Sequence, residues 1–371
     1  MDNRIVVNYR PALNAVGVEA ARVYVTGCSS MAGDFWTANA DVPPPRSIER
    51  LLTCKSLRGV EPLEPGIDAG SERRLPEQLT EVLFGQAGSP PRLAASNTYA
   101  VLDAAKITGL PDMLEVADMA SRCLFRGSAY HELADVAPWL VQLKSGDGLA
   151  RKLFTAADPP QGLWNLEAAV FFRSPITFDR LWAHLRRFTR LRDDDGSWFY
   201  FRFWEPEVLR CFASGATSVT DFWSNFLPPG DIVTTDPLLN EALIISRRDD
   251  NGQGRSPILL TREMKDLLRQ QRMRILSRKM VRETAPEGGE HLSKVLHSTY
   301  RLVDEGVRIG LRNDGHLRRF VEICRHADGN EPDWRCRPDV VRTFEAGHAP
   351  VRLLTELEYD LGAFEQELYD E

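Results

Sequence analysis

Two carboxylates, Asp103 and Glu205, are the residues of this sequence whose placement most suggests chemistry. Each one ends a run that reads as a β-strand, residues 99–103 and residues 198–204. Hydrolysis of a sugar bond by a carboxylate pair requires the two groups to lie roughly 5–10 Å apart across a cleft. A carboxylate at a strand end more often caps a helix or pairs with an arginine, and Arg202 is close in sequence. A toxin or hydrolase that uses Asp103 and Glu205 therefore stays an alternative, while no catalytic residue is predicted.

The other reactive side chains do not form a recognisable site. The six cysteines contain no C-x-x-C pair, and the seven histidines lack ligand spacing with a cysteine. Scattered cysteines in a reducing compartment are expected to be free thiols, mostly buried. Residues 193–195 are three aspartates, but the spaced ligands and final glutamate of a calcium loop are missing, so Gly196 after them predicts a turn. Phosphate-binding loops, a serine elbow and a zinc helix are also missing, so these residues give no positive reason to propose a metal, a cofactor or an enzymatic activity.

Composition and charge favour a globular protein of more than one domain. The chain has 371 residues and a net charge of −7, and an acidic balance disfavours a nucleic-acid partner. Basic residues nevertheless outnumber acidic ones between Arg262 and Arg319, so a nucleic-acid-binding module built on the helices after Arg262 stays a second alternative. No run reaches the roughly 18 apolar residues of a membrane span, and the first residues lack the apolar core of a signal peptide. We therefore expect a cytoplasmic protein without a membrane partner.

Turn and linker signals divide the chain into three predicted segments. A Gly- and Pro-rich stretch at residues 85–91 is the clearest boundary. The segments are an N-terminal extension of unknown role (residues 1–95), a core domain (96–230) and a hairpin followed by helices (231–371). The predicted fold class is α+β, with a mixed α/β core, a C-terminal helical bundle and an irregular N-terminal region that contains β-strands, including residues 4–7 and 21–25.

The middle segment alternates the signals of strands and helices. Residues 99–103 and 168–172 are apolar runs typical of buried strands, and Pro111 is placed to begin a helix. Thr177 is placed to cap the next helix. Apolar residues recur along that helix with helical spacing, at Phe178, Leu181, Trp182, Leu185 and Phe188. About half of the aromatic run at residues 198–204 must face the core, since side chains alternate along a strand.

The last segment begins with a predicted hairpin and continues as helices. Residues 243–245 and 258–260 are apolar runs on either side of a turn signal at Asn251–Gly252. A helix capped by Thr261 follows, then a second one that presents Leu292, Val295, Leu296, Thr299, Leu302 and Val303 on one face. A third contains Leu317, Phe320, Val321 and Cys324, and a fourth follows Pro338. Amphipathic helices with short connections predict a small bundle.

Three stretches resemble the type VI secretion effector adaptors, the Tap/TEC-type chaperones. Residues 99–105, Tyr-Ala-Val-Leu-Asp-Ala-Ala, are similar to the family's Y-x-L-L-D-x-A strand. Residues 133–141 resemble its x-x-V-A-P-[YW]-L-V stretch, and residues 199–209 resemble its closing x-x-F-R-[FY]-[YW]-[DE]-P-x-V-L motif. Glu205 stands where the family usually has aspartate. The positions that carry the match, which we expect to shape the fold, are Asp103, Pro138, Trp139, Arg202, Trp204, Glu205 and Pro206.

The resemblance implies a non-catalytic adaptor with two protein partners. Such a protein binds one cognate effector in the cytoplasm and loads it onto the VgrG spike, and it needs no cofactor. The similarity covers residues 97–225 specifically and the helical region to about residue 360 loosely, whereas residues 1–95 do not match it. Recognition of this kind usually depends on a few aromatic or arginine anchors, which the sequence alone does not locate.

Overall fold

The computed structural model describes six stretches of the chain. They are residues 51–65, 75–85, 96–117, 119–247, 258–284 and 290–327. Side chains are described throughout them except at residues 290, 291, 323, 326 and 327. The described residues all belong to one compact unit. The predicted strands at residues 4–7 and 21–25, the Asn251–Gly252 turn and the helix after Pro338 lie outside the described residues.

The described residues form nine β-strands in two antiparallel sheets. Their bounds are β1 Leu52–Arg58, β2 Asn97–Asp103, β3 Ser121–Cys123, β4 Pro138–Leu143, β5 Ala169–Ser174, β6 Arg190–Arg192, β7 Trp198–Tyr200, β8 Asp231–Asp236 and β9 Glu241–Arg247. Seven of them make one sheet in the order β1-β9-β8-β5-β2-β4-β3, and β6 pairs with β7 in a small hairpin. The strands β1 and β3 are therefore the two edges of the large sheet.

Ten α-helices accompany these sheets in the described part of the chain. Their bounds are α1 Glu77–Phe84, α2 Leu110–Val116, α3 Ser128–Leu133, α4 Gly148–Leu153, α5 Phe178–Arg186, α6 Pro206–Ser214, α7 Thr220–Phe226, α8 Arg262–Thr284, α9 Glu290–Arg308 and α10 Asp314–Ala327. Helices that flank an antiparallel sheet define the α+β class, which confirms the predicted fold class. No described helix combines the length and the apolar character needed to cross a membrane.

The centre of the large sheet is covered on both faces. Successive residues of a strand point to opposite faces, and those of β2 enter two different apolar cores. Tyr99 and Val101 pack in one core, with α5, α6 and α7. Ala100 and Leu102 pack in the other, with α1, α2 and α4. This double burial explains why residues 99–102 are apolar without alternation.

Most helix predictions in the core are confirmed, with local differences. Pro111 lies in the first turn of α2, where the missing N–H costs no helical hydrogen bond. Val116 is apolar but 88% exposed, because α2 ends there. Leu181 and Leu185 of α5 are buried, as the predicted stripe requires. Phe188 is also buried, although it lies beyond the last residue of the helix.

The strand predicted over residues 198–204 is shorter than expected. Its regular part, β7, ends at Tyr200, and the chain then turns before α6 begins at Pro206. Phe203 and Trp204 are neighbours and both are buried, so the residues beyond β7 do not keep the alternation between core and solvent. The physical reason is that this segment must turn inward to start a buried helix. Trp198 remains 59% exposed on the hairpin.

The predicted hairpin between residues 243–245 and 258–260 is wrong. Strand β9 lies between β1 and β8, whereas Leu259 forms a bridge with Arg192. The hairpin is β8–β9, joined by residues 237–240, with Asn240 in the left-handed region at φ +51°. A four-residue connection closes with less loss of entropy than the longer one that was predicted. One sheet thus contains strands from all three predicted segments, 1–95, 96–230 and 231–371.

Helices α8, α9 and α10 pack together, as predicted for the bundle. Their shared core contains Leu276, Met280, Val303, Phe320 and Val321. The helices pack closely at Gly306, since a Cβ there would lie 2.7 Å from Leu317 Cδ2. Helix α8 additionally packs against α6 of the core. The bundle therefore reaches the sheet domain through α8.

Candidate functional site

The three stretches that carry the family resemblance meet at one place in the fold. Strands β2 and β4 are neighbours in the sheet, and their register sets Asp103 opposite Pro138. The third stretch reaches the same strand end through Arg202, whose Nη2 donates a hydrogen bond of 2.7 Å to Asp103 Oδ2. Residues 99 positions apart are thus joined directly.

Arg202 lies between the two carboxylates that the enzymatic alternative requires. The side chain of Asp103 is 1% exposed, and its Oδ1 also accepts a hydrogen bond from the Ala105 backbone N–H at 3.1 Å. The Nε atom of Arg202 lies 3.1 Å from Glu205 Oε1. Asp103 and Glu205 are therefore brought together, as that alternative supposed, but each is bound to the same guanidinium. A carboxylate held this way uses its oxygens to accept hydrogen bonds from the guanidinium.

We call the bonded group of Asp103, Arg202 and Glu205 the motif cluster. Glu205 also connects this cluster to the helical bundle. Its second oxygen, Oε2, accepts a hydrogen bond of 2.9 Å from Gln271 Nε2 on α8. A series of side-chain contacts, Asp103–Arg202–Glu205–Gln271, consequently connects the sheet to α8. Because Glu205 precedes Pro206 at the start of α6, its charge also lies at the favourable end of the helix dipole.

The other motif positions have contacts of a structural kind. Pro138 is buried and begins β4. The indole Nε1 of Trp139 donates to Ala134 O at 3.0 Å, which closes the loop before that strand. Trp204 is 3% exposed and meets Phe203 edge to face at 5.4 Å between ring centroids. Pro206 occupies the first turn of α6, where proline is well tolerated.

A buried network of ion pairs lies next to the motif cluster. Arg278 of α8 is 4% exposed, and its two terminal nitrogens each lie 2.7 Å from an oxygen of Asp236. Its Nη2 also contacts Glu167 Oε1 at 2.9 Å. Arg210 of α6 contacts Glu167 Oε2 at 3.0 Å and Glu207 Oε2 at 2.7 Å. Two further arginines of α8 complete the network, with Arg274 paired to Glu207 and Arg282 paired to Glu167.

The network keeps its carboxylates ionised. Burial alone would raise the pKa of Glu167, but the charges of Arg278 and Arg210 lower it to about 2. The pKa of Asp236 is lowered by the same two guanidiniums, which outweigh the effect of its burial. The backbone of Glu167 is left-handed at φ 47°, which is uncommon for a residue with a side chain. The network thus requires a local conformation that the surrounding structure holds in place.

Sequence reasoning missed this network, although one signal was present. Gln271, Arg274 and Arg278 recur along α8 at helical spacing, so they form a polar stripe on one face. All three are buried, with Gln271 and Arg274 facing the glutamates of α6 and its N-cap. The partners Glu167 and Asp236 lie far away in sequence and belong to no motif. Nothing in their local context marks them as ligands of an arginine.

A shallow pocket opens where the network meets the motif cluster. Its volume is about 240 Å³, and it lies between the start of α6 and the exposed side of α8. Charged groups of both signs line it, including Lys106, Glu167, Glu205, Lys279 and Arg282. Lys106 Nζ donates to the Glu167 backbone carbonyl at 3.0 Å. Its acidic lining residues already form ion pairs or hydrogen bonds within the protein, so the pocket is a gap between packed elements.

The described cysteines are free thiols, as predicted. Cys123, Cys211 and Cys324 are buried, and Cys54 is exposed. Burial raises the pKa of the Cys211 thiol to about 12 and that of Cys123 to about 11, which disfavours reactive thiolates. Within the described stretches, no three His, Cys, Asp or Glu side chains are arranged to hold a metal ion.

A family model matches one part of the chain, and that part contains all three motif stretches. Residues 98–219 match the model of a domain of unknown function (DUF4123). This range begins in β2 and ends just before α7, so it includes Asp103, Arg202 and Glu205. Comparisons with curated proteins and with solved structures found no match.

Proposed function

We propose that this chain is a cytoplasmic, non-catalytic adaptor that binds a type VI secretion effector and loads it onto the VgrG spike. The observation that carries the proposal is the meeting of three motif stretches at Asp103 and Arg202 inside the matched domain. Domains of this kind are generally associated with type VI secretion effector adaptors. An adaptor works by presenting shaped surfaces, and a rigid, ion-paired centre suits that task.

The state of the carboxylate pair supports a non-catalytic role. A glycosidase needs one carboxyl group that can donate a proton and another that reaches the sugar or a water. Asp103 is buried to 1% exposure and bonded to Arg202, and Glu205 is bonded to Arg202 and Gln271. Substrate would have to displace these partners before either group could act.

The use of the basic residues of α8 supports proteins over nucleic acid as partners. Phosphate recognition requires arginines and lysines that reach the surface. Arg274 and Arg278 are buried in ion pairs, and Arg272 is paired with Asp314 at 2.9 Å. Much of the positive charge after Arg262 is therefore bound within the protein.

Co-purification of the full chain with VgrG and a candidate effector tests the proposal. We expect a complex of all three proteins at mild salt, and its absence with every candidate pair would contradict the adaptor function. Expression of the chain alone serves as the second arm. Harmless expression agrees with an adaptor, whereas growth arrest that is relieved by Glu205→Gln identifies a toxin.

A further inference from the structure

Four arginines and four aromatic rings form one continuous surface beside the edge strand β3. We call this surface the arginine–aromatic face. Its members are Arg122, Arg126, Arg186 and Arg190, together with Phe125, Trp182, Trp198 and Tyr200. All four arginines are exposed. None of these residues is one of the seven motif positions or a member of the buried ion network, although Tyr200 lies in the third motif stretch.

Trp182 of α5 organises the first half of the face. The guanidinium carbons of Arg122, Arg126 and Arg186 lie 4.9, 5.3 and 5.4 Å from the centre of its ring system. Its Nε1 donates a hydrogen bond of 2.9 Å to Cys123 O, which fixes the orientation of the indole. Attraction between a cation and an aromatic face keeps these arginines near one another despite their like charge.

The hairpin β6–β7 supplies the second half. The guanidinium of Arg190 lies 5.3 Å from the Trp198 ring and 5.7 Å from the Tyr200 ring. Tyr200 in turn lies 5.4 Å from Phe125, which is adjacent to Arg126 in the chain. The two halves are therefore contiguous. Trp198 is 59% exposed and Tyr200 is 44% exposed, so large rings face solvent beside the arginines.

The positive charge of the face is largely uncompensated. Arg122 is paired with Asp179 at 2.8 Å. In the described part of the chain no carboxylate forms an ion pair with Arg126, Arg186 or Arg190. The arginines of α8 contrast with this, since several of them are bound to acids. The protein has a net charge of −7, yet three guanidinium groups on this one surface have no ion pair with any described carboxylate.

We propose that the arginine–aromatic face binds an acidic segment of a partner protein, an inference that rests on the proposed adaptor function. Guanidinium groups held in fixed positions can bind carboxylates in bidentate geometry. Tryptophan, tyrosine and arginine are also the residues that most often dominate the energy of protein interfaces. A segment with Asp or Glu near Trp182 and near Trp198, and with apolar groups between them, complements both halves.

Recognition by side chains fits the local structure better than addition of a strand. The strand β3 is an edge of the sheet, but the carbonyl of Cys123 already accepts the Trp182 indole N–H. That hydrogen bond blocks part of the edge. Nucleic acid is the less favoured anion, because the chain is acidic overall and the face is a small patch.

Fluorescence anisotropy with a labelled peptide of ten glutamates tests this proposal on the full chain. The wild type should bind the peptide, and binding should weaken as salt is added. Arg186→Glu and, separately, Arg126→Glu should each weaken binding roughly tenfold or more. Arg180→Glu is the matched control, since Arg180 is exposed on the same helix α5 and has the same change of charge. It should change affinity by less than about threefold.

The possible outcomes separate this inference from the adaptor function. Equal weakening by Arg186→Glu and Arg180→Glu would show only a general effect of charge and would overturn the proposal. So would the absence of peptide binding, or tighter binding of a 20-nucleotide DNA than of the peptide. Unchanged co-purification of Arg186→Glu with VgrG and effector would refute partner binding by the arginine–aromatic face while leaving the adaptor function intact. If the wild type recovers neither protein, the adaptor function is refuted, and the peptide experiment still tests binding by the arginine–aromatic face.

Discussion

Replacement of Arg278 by methionine removes the central cation of the buried ion network. Methionine fills a similar volume and suits a helix, so the change tests charge more than packing. Arg278 has two contacts of 2.7 Å with Asp236 and one of 2.9 Å with Glu167. After the substitution, both carboxylates would stay buried with less compensating charge.

The expected loss of stability is about 3–5 kcal/mol, which is typical when one partner of a buried ion pair is removed. Arg210 remains near both acids and prevents the larger cost of a fully isolated charge. The contacts join α8 to β8 and to the loop of Glu167, so the loss should loosen the attachment of the bundle to the sheet.

Urea unfolding followed by circular dichroism and tryptophan fluorescence measures the effect. The matched control is Arg269→Met, on the same helix, where the side chain is 56% exposed and paired with Asp266. An exposed pair contributes at most about 1 kcal/mol, so this variant should unfold nearly like the wild type. Both variants must remain folded without denaturant for the comparison to hold.

A similar loss in the two variants would refute the reasoning, because burial would then make no difference. A gain in stability for Arg278→Met would refute it more strongly. A double substitution with Asp236→Asn separates the contributions, since removing both partners should cost less than the sum of the single losses.

Three further predictions concern the motif cluster, the acid response and one glycine. Asp103→Asn should cost about 1–2 kcal/mol in thermal or urea unfolding, less than the buried pair, because Arg202 is 44% exposed and regains water. The pKa of Glu167, lowered to about 2 from 4.5, implies stability that is complete above about pH 4.5 and is lost as the pH falls towards 2. That contribution is about 3 kcal/mol, and urea midpoints measured across this range check it. Gly230→Ala should lower the free energy of unfolding by at least about 2 kcal/mol. The φ of Gly230 is +107°, and a Cβ there would lie 2.0 Å from the Arg173 carbonyl oxygen. Gly146→Ala, with no atom within 4 Å of the added Cβ, should be nearly neutral in the same melting experiment.

Local patterns were sufficient for several elements of the fold. The apolar run of β2, the proline at the start of α2 and the cap at Thr261 each depend on residues close in sequence. Thr261 Oγ1 indeed accepts the Met264 N–H at 3.3 Å. Such signals are local because a helix or a strand is decided largely by spacing and by the residues at its ends.

The pairing of strands and the partners of charges could not be obtained in this way. An apolar run and a turn signal predict a hairpin between residues 243–245 and 258–260, yet β9 pairs with β8 and β1. The extent of the aromatic strand was likewise wrong beyond Tyr200. Both depend on which surfaces are available in the assembled core, which no single segment specifies.

The sequence by itself determined the α+β class, the helices α8 to α10 and the set of motif residues around Asp103 and Arg202. Only the tertiary structure decided that Arg202 joins both carboxylates, that Arg278 neutralises Asp236 and Glu167, and that four arginines gather beside Trp182 and Trp198. The physical reason is distance along the chain. Local propensity acts over a few residues, whereas a charge finds its partner only after elements as far apart as Glu167 and Arg278 have packed together.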